Sequence, residues 1–343
     1  MTLWTRIYRR FFWKAAGWVP ALHSLEAAHG VRNRWNVTAA VSGRSNDPHL
    51  LTVVELAGAK IIGDLRLVAT DSGVVVGGLQ GLFHYTNPPD HYLMRGWHFR
   101  SPRYQPGTTW LLAAEYSDNY YHWLLNSLPR WKILQAANAP AYDFVFLPHR
   151  RMPFQDECLD RLNIPPGKRA YGSRRFVHQF ERLIVPAMPF PSDEVPPWVC
   201  AWLRSLFSEK ARGPDKIYLL RNSPQRRLAN EAELVSALKR LGFVSIEADR
   251  LTVAEQARLM SSARCVLSPH GAALANIVFA PPGASVLELF HPQYKNRCYA
   301  NLAAAAGLHY SSLDGRATNP PAARELEYSV DIPAVVRRVA QMS

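Results

Sequence analysis

The sequence has few cysteines and no long apolar run. The four cysteines are Cys158, Cys200, Cys265 and Cys298. They stand far apart and form no CxxC pair, so the sequence indicates neither a zinc site nor a disulfide framework, and a reducing compartment is expected. No stretch reaches the roughly 18 consecutive apolar residues of a membrane span, and the N-terminus lacks the apolar core of a secretory signal. These absences predict a protein that is made and kept in the cytosol.

Acidic residues are also scarce relative to basic ones. The chain of 343 residues has 40 Lys and Arg against 27 Asp and Glu, which gives a formal net charge of +13. The electrostatic field of a protein with this net positive charge favours anionic partners, including nucleic acid, anionic lipid and phosphorylated small molecules. A nucleic-acid-binding protein is therefore one alternative, although no RNP, helix-turn-helix or zinc-finger pattern accompanies the charge.

Residues 1–30 are predicted to form a basic amphipathic N-terminal helix. On a helical wheel over residues 4–19, aromatic and apolar side chains share one side and basic side chains the other. A helix of this kind lies in the headgroup layer of an anionic bilayer or docks on the protein's own core, and periodicity does not separate the two.

The remaining chain is predicted to form two α/β domains, 31–195 and 196–343, with a proline-rich linker at 186–197. Short β-branched segments between residues 50 and 80 indicate extra β-hairpins in the N-terminal domain. From residue 109 onward strands and helices alternate, which indicates parallel sheets with crossover helices. The C-terminal domain contains four such strands, KIYLL, FVSIEA, RCVLS and ASVLELF, with three helices between them. The sequence therefore predicts an α/β protein whose second domain is Rossmann-like, with a cleft between the domains.

Basic and amide side chains follow the first strand of the C-terminal domain. Arg221, Asn222 and Arg227 come directly after KIYLL, at the end of the strand where open parallel sheets bind ligands. Guanidinium groups there are suited to bidentate contact with phosphate. The alternative for Arg227 and its neighbour Arg226 is an ordinary solvated surface pair.

A second set of candidate residues is associated with the strands RCVLS and ASVLELF. His270, Gly271 and Ala272 open the predicted helix after RCVLS, where a glycine lets helix N–H groups approach an anion closely. Glu288 lies inside the apolar strand ASVLELF, where an unpartnered carboxylate would cost several kcal/mol, and it is a candidate acceptor for ribose or sugar hydroxyls. A structural histidine that hydrogen-bonds the turn is the alternative for His270. Together these residues predict a binding site for a nucleotide diphosphate that needs no metal ion.

The N-terminal domain contributes a candidate base. The segment EYSDNYYHWLLNSLPRW is predicted to place Ser117 or Asp118 at a helix N-cap and His122 in the first turn. A helix N-terminus disfavours imidazolium, so His122 is expected to be neutral and able to accept a proton near pH 7. The alternative is an aromatic cluster that only packs this helix on the sheet.

Three ordered blocks resemble the signature blocks of glycosyltransferase family 61. They are YYHWLLNSLPR, IYLLRNSPQRRLANEAELVSALKRLGF and PHGAALANIVFAPPGASVLELF, and the resemblance covers roughly residues 110–290. It implies a GT-B architecture with two Rossmann-like domains facing a central cleft. It also implies an inverting hexosyl- or pentosyltransferase that uses a nucleotide-sugar donor and requires no cofactor or metal.

The resemblance also implies roles for individual residues. Those implied for the donor site are Arg221, Arg227, His270, Gly271, Asn276 and Glu288. His122 would belong to the catalytic cleft. The family often has an acidic residue where this chain has Asn126, so Asp118, one helical turn before His122, is the second candidate for the base.

The expected acceptor is a glycan or a lipid-linked glycan in bacterial capsule, exopolysaccharide or lipopolysaccharide synthesis. The expected location is the cytoplasm, with peripheral contact to the inner face of the membrane through residues 4–19 and no nucleic-acid partner. One further alternative is a non-transferring GT-B relative, either a sugar-nucleotide epimerase or a scaffold in a polysaccharide-assembly complex.

Overall fold

The computed structural model divides into two compact units, Met1–Ser192 and Asp193–Ser343. The residues that it describes are 18–19, 31–36, 40, 51–62, 67–71, 75–76, 102–114, 116–173, 176–187, 193–208, 213–319 and 326–342. Most of the predicted N-terminal helix, including its basic side, lies outside the described residues. Trp18–Val19 form a short strand, so the helix prediction is wrong for those two residues.

Ten strands among the described residues form one mixed sheet in the first unit. They are β1 (Trp18–Val19), β2 (Val31–Asn36), β3 (Thr52–Ala57), β4 (Lys60–Ile62), β5 (Leu67–Ala69), β6 (Val75–Val76), β7 (Arg103–Leu111), β8 (Phe144–Leu147), β9 (Arg169–Tyr171) and β10 (His178–Ala187). The β4–β5 and β5–β6 pairs are antiparallel, as the predicted hairpins require. The order β10-β7-β8-β9 is parallel throughout. This parallel part places the segment after β7 at the carboxyl edge of the sheet.

The helical segment after β7 contains an internal proline and is divided into three parts. It consists of α1 (Tyr120–His122), a π-helical segment (Trp123–Ser127) and α2 (Pro129–Ala136). Pro129 takes the first position of α2, where a missing N–H costs little. The first unit also contains α3 (Pro153–Arg161) and a 3-10 turn (Pro166–Lys168).

The second unit alternates strands and helices. Its elements are α4 (Pro197–Leu206), β11 (Lys216–Leu219), β12 (Arg227–Leu228), α5 (Glu231–Arg240), β13 (Val244–Ile246), a 3-10 turn (Ala248–Arg250), α6 (Val253–Met260), β14 (Cys265–Pro269), a 3-10 helix (Ala272–Phe279), β15 (Ser285–Phe290), α7 (Cys298–Ala306), β16 (His309–Asp314), β17 (Arg316–Ala317), β18 (Glu327–Ser329) and α8 (Ile332–Ala340). Among the described residues, no helix of either unit combines the length and apolar character needed to cross a bilayer.

Five strands of the second unit form a parallel sheet in the order β13-β11-β14-β15-β16. Counted along the chain this is the doubly wound order 2-1-3-4-5, in which the winding reverses between the first and third strands. β14 is buried along its whole length, as is usual for strands covered on both faces. The mixed α/β class predicted from sequence is confirmed, and the reversal between β11 and β14 marks where such a sheet binds ligands.

Several local predictions are changed by tertiary contacts. The residues after RCVLS form a 3-10 helix rather than the predicted α-helix. Asn230 does precede α5, but its side chain bonds the backbone of Val330 in both directions instead of capping the helix. Gly242 ends the helix with φ at 82°, as a C-terminal glycine should.

All four cysteines are free and buried. Burial raises the pKa of the Cys158 and Cys200 thiols to about 12 and that of Cys265 to about 11. Burial also raises the pKa of Cys298. The thiols are therefore protonated at neutral pH, which makes them poor nucleophiles and poor metal ligands.

Arg204 on α4 connects three separate segments of the second unit. Its Nε donates to Val278 O at 2.7 Å, and its Nη2 donates to Ala280 O at 2.7 Å and to Ala306 O at 2.9 Å. These carbonyls lie at the ends of the 3-10 helix and of α7, so one guanidinium fixes the helical layer under the sheet.

We expect Arg204→Ala to lower the free energy of unfolding of this unit by about 3 kcal/mol, because hydrogen bonds to a charged donor are lost and carbonyls lose their partners. Urea unfolding measures the loss. Arg240→Ala, at an exposed position on α5, is the matched control and should change stability by less than about 0.5 kcal/mol. Equal stability of the Arg204→Ala and wild-type proteins would contradict the assignment.

Candidate functional site

A cavity of about 170 Å³ lies at the carboxyl ends of β11, β13 and β14. We call it the switch-point cavity; its lining residues are Leu220, Arg221, Asn222, Ser223, Ala248, Asp249, Ser268, Pro269, Gly271, Ala272 and Ala273. β11 and β14 are the neighbouring strands between which the winding reverses, where ligands bind in doubly wound sheets. Small-molecule sites usually measure about 300–1,000 Å³, so this cavity can enclose part of a larger ligand.

Arg221 fixes the wall of the switch-point cavity through backbone carbonyls. Its Nη1 donates to His270 O at 2.6 Å and its Nη2 donates to Gln225 O at 2.6 Å. Its Nε donates to Gln225 O at 3.0 Å and to Arg226 O at 3.1 Å. Burial, followed by the charge of Arg226, lowers the pKa of the Arg221 guanidinium. The side chain thus ties the loop after β11 to the turn after β14 and places a positive charge beside the cavity.

Gly271 is required by the position of that guanidinium. Its φ of −177° is ordinary extended backbone, so conformational freedom does not explain the glycine. A Cβ built on Gly271 would lie 2.1 Å from Nη1 of Arg221. The sequence interpretation gave Gly271 a role in approach to an anion, whereas the structure shows that the glycine also makes room for Arg221.

The buried residues His270 and Glu288 form a hydrogen-bonded chain with the half-buried Tyr310. His270 Nδ1 lies 2.5 Å from Glu288 Oε1, and the Tyr310 hydroxyl donates to Glu288 Oε2 at 2.5 Å. Glu288 is 0% exposed, and two donors compensate the cost of burying its carboxylate. Burial and the nearby Glu288 raise the pKa of Tyr310, so its hydroxyl keeps its proton. The chain fixes the His270 ring and shows how the apolar strand accommodates a carboxylate.

Two other predicted donor residues lie outside the lining. Asn276 is 1% exposed, and its Nδ2 donates to Gln256 Oε1 at 2.5 Å and to Ala273 O at 2.9 Å. This amide therefore ties the 3-10 helix to α6. Arg227 forms an ion pair with Glu327 on the neighbouring strand β18.

The switch-point cavity thus gathers half of the predicted donor residues. Those in its lining are Arg221, Asn222, Gly271 and Ala272. Those outside its lining are Arg227, His270, Asn276 and Glu288. A direct contact between the second group and a donor stays a prediction.

In the first unit, His122 ends the single turn of α1. Its Nδ1 lies 2.9 Å from Asn126 Oδ1. A carbonyl oxygen only accepts hydrogen bonds, so this contact requires the proton on Nδ1 and leaves the lone pair on Nε2. The exposed ring of Tyr116, held at φ 58°, lies against the imidazole at a centroid distance of 5.5 Å. In its neutral form His122 therefore has the tautomer that a general base needs.

The helix cap in front of His122 differs from the prediction. Asn119 is the N-cap, and its Oδ1 accepts from Tyr121 N at 2.9 Å, so the choice of Ser117 or Asp118 is wrong. Ser117 is buried, and its hydroxyl accepts from Ala114 N at 2.8 Å and bonds the hydroxyl of Ser127 at the end of the π-helical segment. Asp118 lies 3.7 Å from a guanidinium nitrogen of Arg150.

Sequence reasoning missed two residues of these sites. Asp249 follows β13, and the rule that ligands bind beyond strand ends would have selected it if all three strand ends had been treated alike. Tyr310 lies on β16, which was not predicted because its sequence HYSSLD is only partly apolar.

The class of protein follows from a comparison with known families. Residues 120–287 match the family model of Glycosyltransferase 61. This part of the chain is therefore similar to glycosyltransferase family 61, and the resemblance predicted from sequence is confirmed. The matched range contains His122, the loop after β11 and the turn after β14.

Individual relatives are similar over shorter stretches. An EGF domain-specific O-linked N-acetylglucosamine transferase of Gallus gallus is 33% identical over 97 residues, which cover 27% of this chain and 18% of the relative. A protein O-linked-mannose beta-1,4-N-acetylglucosaminyltransferase 2 of Homo sapiens is 37% identical over 81 residues, which cover 23% of this chain and 14% of the relative. The chain thus spans less than a fifth of the length of these two curated relatives.

We expect Gly271→Ala to weaken binding of inorganic pyrophosphate, because the added methyl group displaces the Arg221 guanidinium from the cavity wall. Isothermal titration calorimetry measures the affinity, and a loss of tenfold or more corresponds to about 1.4 kcal/mol. Gly167→Ala, where a Cβ meets nothing within 4 Å, is the control. Unchanged affinity in a folded Gly271→Ala protein would show that Arg221 tolerates the methyl group or that pyrophosphate does not bind here.

We expect Tyr310→Phe to cost about 1–2 kcal/mol of stability and Glu288→Ala about 3–5 kcal/mol, because the second change leaves the His270 and Tyr310 donors without an acceptor.

The raised pKa of Tyr310 adds a pH dependence to the stability. The contribution of Tyr310 to the free energy of unfolding is present below the unfolded pKa of about 10 and is lost as pH rises above it. Unfolding followed from pH 8 to pH 11 should therefore show a smaller alkaline loss in Tyr310→Phe. The same alkaline loss in both proteins would contradict this account.

Proposed function

We propose that the protein is an inverting glycosyltransferase that moves a sugar from a nucleotide-sugar donor to a glycan or lipid-linked glycan. The observation that carries the proposal is the switch-point cavity, which lies inside the family 61 match and is bounded by Arg221 and the start of a helix. Its polar groups are of the kind that receives a diphosphate.

The donor would be held through its diphosphate. The first N–H groups of a helix have no intrahelical partners, and those of Ala272 and Ala273 open the 3-10 helix beside the cavity. Arg221 adds a nearby positive charge. As the bond between the anomeric carbon and the diphosphate oxygen breaks, these groups would stabilise the negative charge that develops on the leaving diphosphate.

The acceptor would be activated by His122. Nε2 of the imidazole would take the proton of the acceptor hydroxyl while that oxygen forms a bond to the anomeric carbon from the face opposite the leaving group. The configuration at the anomeric carbon is thereby inverted. Asn126 would hold the ring through Nδ1, and Asp118 is the second candidate for the base. The proposal includes the GT-B arrangement that the resemblance implies.

The same proposal covers cofactors, location and substrates. Transfer would proceed without a metal or other cofactor because Arg221 and helix N–H groups serve the diphosphate. The enzyme would act in the cytoplasm, peripherally at the inner membrane face, in bacterial capsule, exopolysaccharide or lipopolysaccharide synthesis. The names of the relatives make N-acetylglucosamine the first sugar to test.

We expect His122→Ala to abolish transfer and to leave donor binding unchanged, because the imidazole acts on the acceptor. A positioned base contributes about 10²–10⁴-fold to the rate, so kcat should fall by at least 100-fold. The assay uses a panel of UDP-, GDP-, CMP- and dTDP-sugars, including UDP-N-acetylglucosamine, with and without EDTA. Donor affinity is measured separately by calorimetry.

Asp118→Asn and Asn126→Ala are the companion variants. If His122 is the base, Asp118→Asn keeps most of the activity, whereas Asn126→Ala lowers kcat and shifts its pH profile because the ring loses its Nδ1 partner. Full turnover by His122→Ala, or absence of nucleotide-sugar binding, contradicts the proposal. Epimerised donor without transfer would identify the non-transferring alternative.

A further inference from the structure

The carboxylate at the end of β13 belongs to the switch-point cavity. Asp249 is exposed and lies in the cavity lining. Its Oδ1 lies 3.4 Å from Nδ2 of Asn222, which is also in the lining. An ionised carboxylate offers about four lone-pair positions, so Asp249 can accept hydrogen bonds from a ligand in addition to this long contact.

The neighbouring carboxylate is engaged elsewhere. Glu247 Oε2 lies 2.5 Å from Arg250 Nε and also accepts from Asn222 Nδ2 at 3.3 Å. Glu247 is absent from the cavity lining. Glu288, which the sequence suggested for ribose hydroxyls, is fully buried and bonded to His270 and Tyr310. Of Asp249, Glu247 and Glu288, Asp249 is therefore the one placed to meet a ligand in this cavity.

The sheet sets the spacing between Asp249 and the diphosphate groups. β13, β11 and β14 are consecutive strands of the sheet, and neighbouring strands lie about 4.8 Å apart. The ends of β13 and β14 are thus separated by about 10 Å. A ribose that carries a 5′-diphosphate is long enough to reach from one end to the other, and Asn222 lies in the loop after the strand between them.

We propose that Asp249 binds the vicinal 2′- and 3′-hydroxyls of the donor's ribose, so that the site selects ribonucleoside diphosphates over 2′-deoxyribonucleoside diphosphates. Two adjacent hydroxyls match the two oxygens of one carboxylate. Removing the 2′-hydroxyl leaves one of those contacts unmade. This inference rests on the proposed function, because it assigns the other end of the same ligand to Arg221 and the helix N–H groups.

The test compares the affinities of UDP and GDP with those of their 2′-deoxy counterparts by calorimetry on the full chain. Hydrogen bonds to charged groups contribute about 1.5–3 kcal/mol. Of UDP and GDP, the one that binds the wild-type protein more tightly should therefore bind at least tenfold more tightly than its own 2′-deoxy form. Asp249→Ala should weaken that ribonucleotide by at least a similar factor and should weaken its deoxy form by a smaller factor, because the deoxy form has only the 3′-hydroxyl contact to lose. Inorganic pyrophosphate should bind Asp249→Ala no more weakly than wild type. Glu233→Gln, on the exposed side of α5, is the matched control.

The outcomes separate this inference from the proposed function. If ribose and deoxyribose forms bind the wild type equally, or if Asp249→Ala weakens both forms equally, the ribose contact is wrong while the diphosphate site stands. If the effect of Asp249→Ala requires Mg²⁺ and disappears in EDTA, the carboxylate holds a cation and the ribose contact is again wrong. If neither nucleoside diphosphate nor pyrophosphate binds, both proposals fail.

Discussion

The attachment of the Arg221 guanidinium to backbone carbonyls governs the candidate site. One side chain reaches Gln225, Arg226 and His270, and it does so because Gly271 has no Cβ in its path. Tyr299 fixes the next carbonyl, that of Gly271, at 2.6 Å. Since the carbonyls of His270 and Gly271 are bonded to Arg221 and Tyr299, the turn presents the start of the 3-10 helix to the cavity. The shape of the anion-receiving wall therefore depends on contacts made behind it.

Glu288 is a second example of a buried residue that supports the cavity wall from behind. Its carboxylate holds His270 from one side and is itself held by Tyr310 from the other, within a strand of buried apolar residues. A buried carboxylate with two good donors costs far less than an unpartnered one, but the loss of either donor is expensive. Glu288 supports the turn through His270, and a direct contact between its carboxylate and a ligand stays a prediction.

Sequence reasoning was most accurate where the pattern was local. The strands KIYLL, RCVLS and ASVLELF and the helices between them carry clear periodicity, and the rule for parallel sheets selected the edge of the sheet at which the cavity lies. Side-chain partners could not be read in this way. Glu288 and Tyr310 are 22 positions apart, and Arg221 and His270 are 49 positions apart; only tertiary packing brings either pair together. The capping error at Asn119 has the same origin, since Ser117 is engaged by the turn itself.

The sealed state of the thiols makes the protein convenient for site-directed labelling. Because all four native cysteines are buried and their thiols are protonated at neutral pH, a maleimide would modify an engineered surface cysteine well ahead of them. A dye on the exposed face of α5 would then report binding to the second unit through its fluorescence. The native thiols could stay in place for such work, which spares the core four substitutions.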